Sequence, residues 1–159
     1  MLGYTNTVKG GSHMDTGLDL EQLLEEGNRI RVKPQGYSMY PLLVPGRDEV
    51  VIEREDPSGL RRGDIVLFRR EGSILVLHRI CRRRGDDFFM VGDNQKQIEG
   101  PIRRKQIKGK VTTVIRGGRT ISVENRLYRM YSCLWLWLRP LRPMLSKMVH
   151  FLKTLFRGK

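Results

Sequence analysis

Ile65-Val66-Leu67-Phe68, a connection through Glu71-Gly72-Ser73, and then Ile74-Leu75-Val76-Leu77-His78-Arg79-Ile80 make up the stretch that decides the fold. Two apolar runs rich in β-branched residues, joined by a short Gly-containing turn, read as a β-hairpin. The same signals recur on either side. Val50-Val51-Ile52 is a short strand broken at Asp56-Pro57-Ser58-Gly59, and Arg62-Gly63-Asp64 is the turn that feeds the hairpin. Gly85-Asp86-Asp87 turns into Phe88-Phe89-Met90-Val91, and Gly92-Asp93-Asn94 follows. Ile107 to Ile115 and Thr120 to Val123 read as closing strands around Gly117-Gly118. On the other side, Leu18, Leu20, Leu23 and Leu24 give a short helix, capped by Asp15 or Thr16 and ended at Gly27-Asn28. Arg29 to Lys33 alternates as a strand and leads through Pro34 into a serine turn. Short strands with turns this frequent predict a mainly β, compact domain with a short N-terminal helix.

The chain has 159 residues, enough for one domain with a real core and an appendage. Gly11-Ser12-His13-Met14 reads as the scar of a cleavable expression tag, so residues 1–14 are set aside and the native start is expected at Met14. The β domain is placed at 15–124 and a basic tail at 125–159. Charge divides the same way. Residues 103–159 hold fifteen Lys/Arg and one acid, Glu124, a net +14, whereas residues 1–102 hold fifteen Lys/Arg and sixteen Asp/Glu, a net −1. An excess confined to one end describes an attachment surface, for which an anionic membrane and nucleic acid are both candidates. Two cysteines, Cys81 and Cys133, argue for neither a disulfide framework nor a zinc site, and no cofactor is expected. A secretory signal and a membrane-spanning apolar run are both missing.

The tail begins near Asn125. Leu127 to Leu138 is strongly apolar and carries Tyr128, Tyr131, Trp135 and Trp137. As a helix it spans about 18 Å, against roughly 30 Å of bilayer hydrocarbon. It is too short to cross. After Arg139-Pro140, Leu145, Met148, Leu152, Leu155 and Phe156 share one helical face while Lys147, His150, Lys153 and Arg157 lie largely on the other. Tryptophans with a basic amphipathic segment predict a peripheral, interfacial membrane contact through residues 125–159, with nucleic acid the less favoured partner. A helix packed on the domain with solvated charges is the alternative. Which membrane face it meets is left open.

Chemistry is sought at Gly36-Tyr37-Ser38-Met39-Tyr40-Pro41. Gly36 permits positive φ or close approach of a bound chain, and Pro41 stiffens the turn, so Ser38 presents its hydroxyl in a set direction. That suits a nucleophile, and equally a turn serine bonding its own backbone. A nucleophilic serine needs a base. No lysine occurs between Lys33 and Lys96, and once His13 and His150 are assigned to the tag and tail, His78 is the histidine of the β domain. A core imidazole bonded to a backbone carbonyl is the competing reading for His78.

Gly36-x-Ser38-Met39-x-Pro41, Gly63-Asp64-Ile65-Val66, Leu77-His78-Arg79-Ile80 and Gly92-Asp93-Asn94 occur in that order. Together they resemble the signal peptidase I family within the S24/S26 serine peptidases, closest to its archaeal, endoplasmic-reticulum and sporulation branch, where histidine replaces the general-base lysine. The resemblance covers roughly residues 30–115. It implies a signal-peptidase-like β fold, Ser38 as nucleophile, His78 as general base, and backbone N–H groups of the Gly36–Ser38 turn, chiefly that of Ser38, at the oxyanion. It also implies an acid to orient the imidazole. Asp93 matches the family's first aspartate in this segment, and Glu99 stands where a later one would be. Glu99 is the favoured orienter and Asp93 a structural turn residue; Arg79 positions neighbours or pairs with an acid. The implied reaction is cleavage of a leader- or signal-like peptide, bound extended beside a sheet edge. A self-cleaving S24 regulator and a non-catalytic membrane- or RNA-binding module are the rival readings.

Overall fold

The computed structural model describes residues 20–71 and 74–139. The helix caps Asp15 and Thr16, the hairpin residues Gly72 and Ser73, and the second amphipathic segment after Pro140 lie outside the described residues. Among these, the elements are α1 (Leu20–Glu25), β1 (Ile30–Val32), β2 (Asp48–Glu53), β3 (Ile65–Arg69), β4 (Leu75–Arg84), β5 (Asp87–Val91), β6 (Glu99–Arg103), β7 (Ile107–Arg116), β8 (Arg119–Ser122) and α2 (Arg126–Trp137). The fold is mainly β. One open antiparallel sheet of eight strands runs in the order β1-β2-β7-β3-β4-β5-β6, with β8 paired to β7.

The apolar run of β3 has a structural reason. Successive side chains of a strand point to opposite faces. Ile65 and Leu67 enter one core cluster, with Leu24, Val32, Met39, Leu43 and Val111. Val66 and Phe68 enter a second, with Leu60, Ile80, Phe88, Met90 and Ile102. β3 is thus buried on both sides, so it carries apolar residues without alternation. Its position between β4 and β7 places it centrally.

One strand departs from the sequence reading. Glu99-Gly100-Pro101-Ile102-Arg103 forms β6, paired with β5 through Phe88↔Ile102 and Met90↔Glu99. Gly and Pro mask the strand pattern, yet Pro is tolerated because β6 is the last strand of the sheet, where one row of N–H groups needs no partner. Gly100 has φ +148°, and a Cβ there would lie 2.9 Å from the Phe88 carbonyl oxygen, so this position requires glycine.

Candidate active site

The Ser38 turn is anchored from three directions. Gly36 has φ +80°, the first of the two uses of glycine open in the sequence. Met39, Leu42 and Leu43 are buried, while Tyr37 and Tyr40 stay exposed beside a half-buried Ser38. Downstream, the buried Asp48 carboxylate accepts from the Val44 N–H and from the guanidinium groups of Arg47 and Arg116. Burial alone would raise this carboxyl; the hydrogen bonds from Arg47, Arg116 and Val44 outweigh it and hold the pKa at about 2. The Arg116 guanidinium also donates to the Leu42 carbonyl at 2.9 Å, so the cluster fixes the chain just after the serine. Finally, the Asn94 N–H donates to the Ser38 carbonyl at 2.7 Å. A Cβ on Gly92 would sit 2.7 Å from that same oxygen, which explains glycine at the head of Gly92-Asp93-Asn94.

The two candidate acids are sorted by strand alternation. His78 pairs with Val66 and Arg79 with Ile65, so the imidazole and the guanidinium lie on opposite faces of β4. On the His78 side, Glu99 brings Oε1 to 3.2 Å from Nδ1. This is a close contact and not a hydrogen bond, because Nδ1 has no aligned acceptor. On the Arg79 side, Asp93 accepts from Nε at 2.8 Å and from Nη2 at 2.7 Å, with both side chains fully buried. Arg79 also donates to the Gly63 carbonyl at 2.6 Å, which joins the Gly63-Asp64 turn to β4. Glu99 is therefore the acid beside the imidazole, and Asp93 is the counter-ion of Arg79. The Ser38 hydroxyl and His78 are not hydrogen-bonded to each other among the described residues.

Two participants were not foreseen. Arg70, one residue past β3, donates through Nε and Nη2 to the two oxygens of Glu99 at 2.8 and 2.5 Å and so fixes that carboxylate against the histidine. No spacing signal links residues 29 apart; only the β3–β4–β5–β6 register brings them together. Trp135 donates its indole N–H to the Asp93 carbonyl at 3.0 Å. Trp135 thus faces the domain, where the turn gripping Ser38 presents a carbonyl.

Burial drives the His78 pKa below its ordinary value, with Arg70 pushing the same way, while Glu99 and Asp93 oppose them. The lowered pKa favours the neutral imidazole, the state a general base requires. Its imidazole should titrate below about 6.5 by NMR. Arg70→Gln, which removes a positive neighbour, should move that midpoint up, and Glu99→Gln should move it down; the reverse order would refute this electrostatic assignment. The unfolded chain takes up a proton near pH 6.5 that folded His78 refuses, so stability falls as pH drops from about 6.5 to the folded pKa.

Beside Glu99 lies a groove of about 1190 Å³ lined by Arg70, Glu71, residues 94–103 and Gln106. None of the helices among the described residues is long and apolar enough to cross a membrane. Neither a family model nor a curated protein matches the chain.

Proposed function

We propose that the chain is a serine endopeptidase of the signal peptidase I type, with a signal-peptidase-like β fold, that cleaves a leader- or signal-like peptide. The observation that carries this reading is His78, buried and facing a carboxylate that Arg70 holds in place, on a strand whose partner β5 runs directly into the turn that grips Ser38. His78 accepts the Ser38 hydroxyl proton as Oγ attacks the scissile carbonyl. Backbone N–H groups of the Gly36–Ser38 turn, chiefly that of Ser38, receive the oxyanion. The C–N bond then breaks, His78 returns the proton to the leaving amine, and water releases the acyl group by the same route. Glu99 stabilises the imidazolium in each half.

Substrate binds extended beside a sheet edge, and β6, the terminal strand that carries Glu99, offers main-chain pairing that accepts varied side chains. Catalytic hydrogen bonds are often long in apo sites and tighten in the substrate complex, and this reading requires a Ser38–His78 hydrogen bond there. A serine-directed phosphonate probe tests this. The wild-type chain is labelled, and Ser38→Ala and His78→Ala are not; equal labelling of all three removes the enzyme reading in favour of a binding module.

A further inference from the structure

The helix α2 carries its polarity inside out. Its domain-facing side presents Tyr128, Ser132, Trp135 and Leu136, which are buried or half-buried. Its solvent side presents Leu127, Met130, Tyr131, Leu134 and Trp137, spaced three or four residues apart and therefore on one stripe. Leu127 is 70% and Trp137 67% exposed. An ordinary surface helix turns such a stripe inward. Here the outward stripe is the more apolar of the two, and contiguous apolar surface of this kind marks an interaction site.

Charge selects the occupant. Residues 126–159 carry eight Lys/Arg and no acid. A second copy of the chain would set an equally basic segment against this one. An anionic lipid surface instead takes the apolar stripe into its acyl boundary and pairs its headgroups with the flanking cations. A tyrosine and a tryptophan in the stripe suit that boundary, where an apolar ring meets a wet edge. We infer that the outer face of α2 is a membrane-docking surface for anionic bilayers, with Leu127, Met130, Leu134 and Trp137 inserted and residues 126–159 supplying the attraction. This does not depend on the peptidase reading. The same helix holds the Asp93 carbonyl through Trp135, and the Arg139 side chain donates to the Lys96 carbonyl, so docking would set the Ser38 turn close to the bilayer.

The test uses the full chain and vesicles of phosphatidylcholine with about a third phosphatidylserine. The chain should sediment with them, and pure phosphatidylcholine or high salt should weaken the association. M130Q/L134Q, which places helix-compatible, uncharged residues at exposed positions, should weaken binding about tenfold or more. In W135F, which leaves Trp137 as the reporter, vesicles should shift emission to the blue; in W137F the shift should vanish. Unchanged vesicle binding by M130Q/L134Q overturns the inference. So does vesicle-free self-association that this variant dissolves, which assigns the stripe to a second copy. A Trp137 emission that is already blue and does not respond to vesicles assigns the stripe to residues 140–159, with the same consequence.

Discussion

With Glu99 as the acid behind His78 in the proposed mechanism, Glu99→Gln should lower kcat by about 10³–10⁴-fold, with KM little changed and the thermal midpoint close to wild type. The size follows from the proposed role: the carboxylate beside Nδ1 stabilises the imidazolium as it forms, and replacing it by an amide leaves the shape but removes the charge. The small stability effect follows from the surroundings. Arg70 is about half exposed in its pairing with Glu99, so losing that ion pair costs at most about 1 kcal/mol. Arg70→Gln should lower kcat less, since Glu99 keeps its charge and loses only its clamp. Glu99→Asp, one methylene shorter, should recover part of the lost rate. Steady-state kinetics on a peptide substrate, with a melting curve for each variant, checks all three. A Glu99→Gln enzyme with wild-type kcat would remove Glu99 from the mechanism.

The choice between the two acids was open in the sequence, and the reason is geometric. Asp93 and Glu99 both follow β5 in a polar segment, and spacing alone puts either within reach of His78. What separates them is the alternation of β4, which turns His78 and Arg79 to opposite faces, together with β6, which carries Glu99 back beside Met90. β6 was illegible because Gly100-Pro101 interrupts any apolar pattern; it is a strand by virtue of its pairing with β5. Arg70 was illegible for the same reason, since its relation to Glu99 exists only once β3 to β6 are in register.

The strands β2, β3, β4, β5 and β7 were legible because each concentrates apolar residues between turn signals. The Ser38 turn was legible too, through the glycine that adopts positive φ. The helix α2 was legible in length and in its start near Asn125, whose side chain accepts the Leu127 N–H at 2.9 Å. Its orientation was not. Helical periodicity finds an apolar stripe but cannot say that a second, more polar stripe is the one that docks. That is decided by the Asp93 carbonyl, which offers Trp135 a partner, and by Tyr128, which packs against the core cluster of β3.

Asp93→Asn tests the other half of the assignment and should show itself in stability. The carboxylate and the Arg79 guanidinium are both fully buried, so neither is solvated when its partner goes. Removing one member of such a pair leaves an uncompensated buried charge, at a cost of about 3–5 kcal/mol. For a domain of this size the melting temperature should drop on the order of 10 °C. Asn can still accept a hydrogen bond from Arg79, which puts the loss towards the lower end of the range, and Asp93→Leu towards the upper. The double variant Arg79→Met, Asp93→Leu should regain most of the loss, because two apolar side chains remove the unpaired charge along with the pair. Activity in Asp93→Asn should fall only as far as the loosened turn lets Ser38 move, since the Asp93 segment holds the serine through Asn94 and Gly92. Melting curves and kcat measured on the same samples separate the roles: a wild-type melting temperature with kcat reduced about 10⁴-fold would make Asp93, and not Glu99, the acid behind His78.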